Sequence, residues 1–228
     1  MPMCTLGTIV GQFLFKNRDM ERGAGVTEDV IHGQGRFRYL GVAGHASRLE
    51  RGLNSGINEA GVAVAITFVD HIPLAAAIRT RTPRGVMVEE ILSKAGDLAA
   101  ALQIATQFLT TTPLVGGYVV VMTPKGGAVI EQLYPKYAIE ILTQGVTVRT
   151  NHFLNLQVTG PLAVPVQNSK ARWERFTHLL SQPEFRDNTD KPADRKCLVP
   201  EIKKHLANHE RPHPICRHGA GALTVSTA

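Results

Sequence analysis

Cys4 is the residue best suited to covalent chemistry in this sequence, because a thiolate attacks amide carbonyls readily. It follows Met1-Pro-Met3, precedes Thr5, and opens a run rich in Thr, Ile, Val and Phe. If the chain is cut ahead of Cys4, one residue carries both a thiol and a free α-amine. Such an amine has an unperturbed pKa of about 7.7 to 8, so it can serve as general base near neutrality without a histidine. The plainer reading of a lone cysteine is a small buried hydrophobe. Three features lift Cys4 above it: its place at the start of the run, Thr5 beside it, and the polar Asn17-Arg-Asp19 that closes the run. A second chemistry is written further on. His205 and His209 stand four apart, followed by His213, Cys216 and His218, a density of imidazole and thiolate that could bind zinc. Pro212 and Pro214 break any helix there and no Cys-x-x-Cys accompanies the pair, so neither metal nor cofactor is expected.

These residues need elements to position them. Cys4 to Phe15, broken by Gly7 and Gly11, reads as a strand pair or a bent strand, with Lys16 to Asp19 as its polar end. Gly23 to Thr27 reads as a loop and Gly35 to Gly44 as a strand. Gly52 to Gly61 and Val62 to Val69 form a hairpin, its tip at Asn58-Glu-Ala-Gly61 with Gly61 supplying positive φ. No chemistry is assigned to that tip. From Val86 to Leu109 apolar residues recur at three-to-four spacing, which predicts helices over 86–94 and 97–108 with Asp97 at the second N-terminus. Strands over 118–122, 127–131, 137–142 and 146–151 then predict an antiparallel meander. Ser169 to Leu180 is amphipathic, with Trp173, Phe176, Leu179 and Leu180 on one face. A loop over 181–192 and a short helix over 199–209 follow, and 223–226 reads as a strand with no evident partner. Strands, helices and more strands predict an α+β protein, two antiparallel sheets face to face with helices outside.

Composition narrows the class. With 228 residues, 43% of them hydrophobic and 19% charged, the chain can build a full core without disulfides or metal. Three cysteines, Cys4, Cys197 and Cys216, are an odd number at irregular spacing, which fits a reducing compartment. No run of about 18 apolar residues is present and the N-terminus lacks a signal-like order, so the expected location is cytoplasmic, with no membrane partner. The net charge is +6, but Lys and Arg are scattered and do not interleave with aromatics, so no nucleic-acid partner is expected.

Five segments in order, Cys4-Thr5, Lys16-Asn-Arg-Asp19, Gly56-Ile-Asn-Glu-Ala-Gly-Val-Ala-Val64, Thr150-Asn-His-Phe153 and Ile215-Cys-Arg-His218, resemble the acyl-coenzyme A:6-aminopenicillanic acid acyltransferase family. This family belongs to the N-terminal-nucleophile (Ntn) hydrolases and also holds small amidases such as carcinine hydrolase. More distantly, the series is similar to choloylglycine hydrolases. The resemblance runs from Cys4 to Ser226 and implies one αββα sandwich domain over 1–228, with relatives continuing through further strands past Ala228. It implies self-cleavage before the cysteine and acyl transfer from a small-molecule acyl amide or thioester, to water or to another amine. Residue by residue, Cys4 takes the nucleophile's place and Asp19 that of the acid holding thiol and amine. Asn151 matches the oxyanion asparagine, and Arg217 an arginine near the nucleophile. Each has a plainer reading too, Asp19 as a strand-end acid and Asn151 as a turn former. The family commonly has an arginine or glycine-arginine where Lys16 stands. Cys216 and His152 are read as packing groups. An oxyanion N–H is expected near Thr67 to Asp70, and self-association is left open. The competing readings are an inactive Ntn-fold binding or scaffold protein and a zinc-binding domain built on the C-terminal His/Cys cluster.

Overall fold

The computed structural model describes residues 3–20, 26–46, 52–163, 166–182, 200, 202–204 and 223–227. Two antiparallel sheets lie face to face. The smaller has the order β10-β1-β2-β11, built from β1 (Met3–Ile9), β2 (Phe13–Met20), β10 (Val146–Arg149) and β11 (Leu223–Thr227). The larger runs β3-β4-β5-β6-β7-β8-β9 in chain order. Its strands are β3 (Val26–Gln34), β4 (Arg38–Ala46), β5 (Leu53–Asn58), β6 (Ala63–Phe68), β7 (Gly117–Thr123), β8 (Gly126–Leu133) and β9 (Lys136–Leu142). The helices are α1 (Leu74–Thr80), α2 (Gly85–Lys94), α3 (Leu98–Thr111) and α4 (Val166–Leu180).

Side-chain alternation along the strands sets an apolar seam at each interface between layers. Between the sheets, Leu6 packs with Ala65, Tyr118, Val120 and Val129. On the outer face of the large sheet, Val64, Ile66, Val119, Val121 and Ile130 meet Met87, Val88, Ile91 and Leu92 of α2 and Ala101, Ala105 and Leu109 of α3. On the outer face of the small sheet, Ile9, Phe15 and Val148 meet Phe176 and Leu180 of α4. The layers are therefore helix, sheet, sheet, helix, the αββα sandwich expected from the sequence.

Several local expectations hold with physical reasons. The β5–β6 hairpin turns at Gly61, whose φ is +82°. Asn58 fixes the same turn: its Oδ1 accepts from Ala60 N and Val62 N while its Nδ2 donates to Leu92 O and Ala95 O. Asp97 caps α3 by accepting from Ala100 N at 2.8 Å.

Others are corrected. Of the two readings of the run from Cys4 the strand pair holds, β1 against β2, but Lys16 to Asp19 lie inside β2 rather than ending it. The fourth strand of the expected meander, β10, leaves β9 and pairs with β1 of the other sheet, Leu6 opposite Arg149. Its Val148 belongs to the seam under α4 and not to the large sheet's core. The first two residues of β3 fall in the expected loop, and the rest of the strand was not foreseen. It is an edge strand with mostly exposed side chains, so no apolar alternation marks it. The seven-residue α1 was also not foreseen. Finally, β11 does have a partner: it pairs with β2, Thr224 opposite Asp19 and Ser226 opposite Arg18. The expected loop over 181–192 lies almost wholly outside the described residues, as does most of the helix over 199–209, where residues 202–204 are helical.

Candidate active site

Cys4 sits in β1 between β10 and β2, its side chain buried. Arg18 is its direct partner on β2, so the two side chains share a face, with Cβ atoms about 5 Å apart. That face looks toward the large sheet, because Leu6, two residues on, lies in the seam between the sheets and Arg18 Nη1 reaches Glu28 Oε1 of β3 at 2.9 Å. The thiol is thus presented between the layers. Its neighbour Thr5 points the other way, toward α4.

Asn151 lies two residues past the end of β10, not on the strand as the sequence suggested. It is fully buried, and three other elements hold it. Its backbone N donates to Ser169 Oγ of α4 at 2.6 Å, and its Nδ2 donates to Phe68 O at the end of β6, 2.7 Å away. Its Oδ1 accepts from the Cys4 nitrogen at 2.9 Å. These partners fix which end of the amide is oxygen, because Cys4 N is a donor and Phe68 O an acceptor. The second Nδ2 hydrogen has no partner among the described residues.

Arg172 completes the cluster and was missed from sequence. No part of it is exposed. Its Nη1 donates to Cys4 O at 2.8 Å and Thr5 Oγ1 at 3.0 Å, its Nη2 to Asn151 Oδ1 at 2.8 Å, and its Nε to Asn168 Oδ1 at 3.0 Å. One rigid guanidinium therefore ties the cysteine's carbonyl to the asparagine's side chain. A signal existed: the buried residues of α4 are Ser169, Arg172, Phe176 and Leu180. Their spacing is that of one helical stripe, and its N-terminal half is polar where a core would be apolar.

Further polar groups brace the loop that carries Asn151. Ser169 Oγ also donates to Thr150 Oγ1 and lies 2.8 Å from His152 Nδ1. Burial, then the charges of Lys170, Arg172 and Arg149, lower the His152 pKa from 6.5 to about 4, so the imidazole is neutral near pH 7. It is buried and stacks edge-on to Trp173, the packing role expected of it. Tyr118 Oη donates to His152 O. Beyond it, the buried carboxylate of Glu131 accepts from the N–H groups of Leu154, Asn155 and Leu156 at 2.7 to 3.2 Å. After β6, Asp70 is buried likewise, taking Gly116 N and Arg81. Val69 N, within the stretch expected to supply an oxyanion donor, is bonded to Gly116 O.

Of the other expected site residues, Asp19 is placed by its backbone in β2 opposite Met3, just ahead of Cys4. Arg217, Cys216 and the histidines of the zinc reading lie outside the described residues. Among the described residues no group of three His, Cys, Asp or Glu could hold a metal ion. No helix described is long and apolar enough to cross a membrane. A cavity of about 530 Å³ opens between the sheets, lined by Leu14, Val42, Ala63, Ala65 and Met122, with Lys16 at the end nearest Cys4.

Residues 11–190 match the family model of acyl-coenzyme A:6-aminopenicillanic acid acyl-transferase. The chain belongs to this family. The match begins past Cys4 and stops short of Arg217. Family membership makes the protein an enzyme of the Ntn amide hydrolase and acyltransferase class. Among solved structures it is similar to the Caenorhabditis elegans N-acylethanolamine-hydrolyzing acid amidase ortholog, with a TM-score of 0.54 and 13% identity over 88% of this chain and 85% of that one. It is also similar to penicillin V acylase from Agrobacterium tumefaciens, with a TM-score of 0.49 and 13% identity over 90% of this chain and 72% of that one. The first likeness shows the shared sandwich fold. Among curated proteins, none matched in sequence.

Proposed function

We propose that this protein is a single-domain cytoplasmic amidase or acyltransferase that uses Cys4 as an N-terminal nucleophile on small-molecule acyl amides or thioesters. The observation carrying this reading is the Cys4–Asn151–Arg172 cluster, in which the nitrogen that would become the α-amine already rests 2.9 Å from Asn151 Oδ1.

Removal of Met1 to Met3 frees that nitrogen. Arg172, donating to the carbonyl of the same residue, places positive charge beside it. A neighbouring cation disfavours the ammonium form, which keeps the amine available as a base near neutrality. The amine takes the thiol proton, and Sγ attacks the substrate carbonyl to form a tetrahedral oxyanion. The remaining N–H of the Asn151 amide is the side-chain donor for that oxyanion, held in place by Phe68 O and Ser169 Oγ. Collapse breaks the bond to the leaving amine, which takes the proton from the α-ammonium, and leaves an acyl-thioester on Cys4. Water or a second amine then attacks that thioester, and the thiol is regenerated. Asp19 and Arg217 keep the roles the family resemblance gives them, as the acid beside the nucleophile and a nearby cation. The apolar cavity between the sheets is of a size to take an acyl chain.

The test is a Cys4→Ala variant assayed against a panel of N-acyl amides, alongside the intact mass of the wild-type protein. The expected outcome is loss of turnover with the fold retained, and a mass lacking Met1 to Met3 in active material. Activity that survives in Cys4→Ala, or active protein that keeps the upstream residues, would end this reading.

A further inference from the structure

We infer that the edge strand β9 pairs with the β9 of a second copy of this chain, joining the two large sheets across a two-fold axis. β9 ends the seven-strand sheet, so alternate backbone N–H and C=O groups point away from β8, and no described strand takes them. Natural edge strands are blunted by charge, proline or a bulge. β9 instead pairs with β8 in unbroken register and carries Tyr137, Ile139 and Ile141 on its outer face, 38%, 37% and 55% exposed. On that face the helices bury Ile130 of β8 and stop short of its neighbour Ile139. The other edge, β3, is defended: it carries Glu28, Asp29, His32 and Gly33.

Self-complementarity names the occupant. A two-fold axis normal to the sheet keeps each face continuous, so every residue meets one from the same face of the other strand. In the ladder centred on Ala138, Lys136 stands opposite Glu140 twice and Tyr137 opposite Ile139 twice. Opposite charges and an aromatic against a β-branched side chain are both favourable cross-strand pairs. Centring on Ile139 sets Lys136 against Leu142, and centring on Glu140 sets two carboxylates face to face. Centring on Tyr137 runs Ile139 past the end of the other strand. The charges are available for the first arrangement. Arg149 and Asn155 hold Glu140 Oε2, while its Oε1 accepts from no described residue and no described carboxylate pairs with Lys136. The cavity lies against β3 to β7, so pairing through β9 leaves it open.

Sedimentation velocity of the full-length protein tests this, from about 1 µM to about 1 mM. The expected result is a monomer–dimer equilibrium that closes at two chains, because the pairing uses up the only edge it offers. Lys136→Glu puts a carboxylate opposite Glu140 at both ends of the ladder and should raise the dissociation constant roughly tenfold or more. Ala138→Cys should form an inter-chain disulfide on mild oxidation, located at position 138 by peptide mass, because that residue faces its own copy about 5 Å away. Ile139→Cys, which faces Tyr137 instead, should not. A monomer throughout the range overturns the proposal, as does a mass that grows past two chains without a plateau. A dimer unmoved by Lys136→Glu, or one that links through position 139 and not 138, overturns it as well. None of these readouts uses Cys4, so their failure and that of the nucleophile are separate.

Discussion

Arg172 does at the residue scale what no neighbour could replace: it donates to Cys4 O, Thr5 Oγ1, Asn151 Oδ1 and Asn168 Oδ1 from a site with no solvent. Buried hydrogen bonds to a charged group are worth roughly 1.5 to 3 kcal/mol each, so its loss should disturb both stability and site geometry. Arg172→Met is expected to lower kcat by about a hundredfold or more, and Arg172→Lys to recover little, because a point charge cannot bridge two partners as a fork does. Steady-state kinetics beside thermal melts separates the two effects. Asn151→Ala is expected to cost roughly 2.7 to 4 kcal/mol of barrier if its amide is the oxyanion donor; a kcat close to wild type would remove it from that role. His152 sets an acid limit. Its pKa is about 4 in the folded protein and near 6.5 when unfolded. Between those values the unfolded chain binds the extra proton, so stability falls as pH drops from about 6.5 and levels off below about 4. Melting temperatures across that range should flatten in His152→Gln.

At the scale of elements, polar side chains lock strands to helices. Asn58 joins the β5–β6 turn to the C-terminal end of α2 through four hydrogen bonds at a buried position. Asn58→Ala strands those backbone groups and should destabilise the protein by about 2 to 4 kcal/mol, seen as a lower denaturation midpoint with an unchanged denaturant slope. The segment resembles a family motif, yet the structure uses it for folding, as its reading as a hairpin tip implied. Helix α4 shows how much a stripe can say. Phe176 and Leu180 were legible from their spacing, whereas Ser169 and Arg172 on the same stripe were not. Their value depends on β1 and the Asn151 loop lying opposite, and helical period alone does not say what a helix faces. Glu131 is similar: it sits in a strand whose apolar pattern was read correctly, and only the fold brings the 154–156 loop onto its carboxylate.

For the whole molecule, the small sheet depends on contributions from distant parts of the chain. β10 flanks β1 on one side and β11 covers β2 on the other, so the strands bearing Cys4 and Asp19 are both interior to the sheet. Deleting residues 223–228 would turn β2 into an open edge, with unpaired backbone groups beside Asp19 and Arg18. That deletion is expected to lower the melting temperature and promote aggregation, measurable by calorimetry and light scattering, and to reduce turnover even in the soluble fraction.

The sequence by itself determined the local elements with strong period or turn chemistry: α2, α3 and α4, the Gly61 hairpin, the strands β7 to β9, and the layered α+β class. The order of Cys4, Asp19, Asn151 and Arg217 along the chain resembles the family's, a likeness that motifs carry because they are local and survive without coordinates. The tertiary structure alone decided that β10 crosses to the other sheet, that exposed β3 is a strand, and that β11 finds β2. It also brought Arg172 to Cys4 across more than a hundred and sixty residues of chain. These outcomes rest on pairing between distant segments, where a buried charge or an unpaired edge is satisfied only by a partner that no local pattern names.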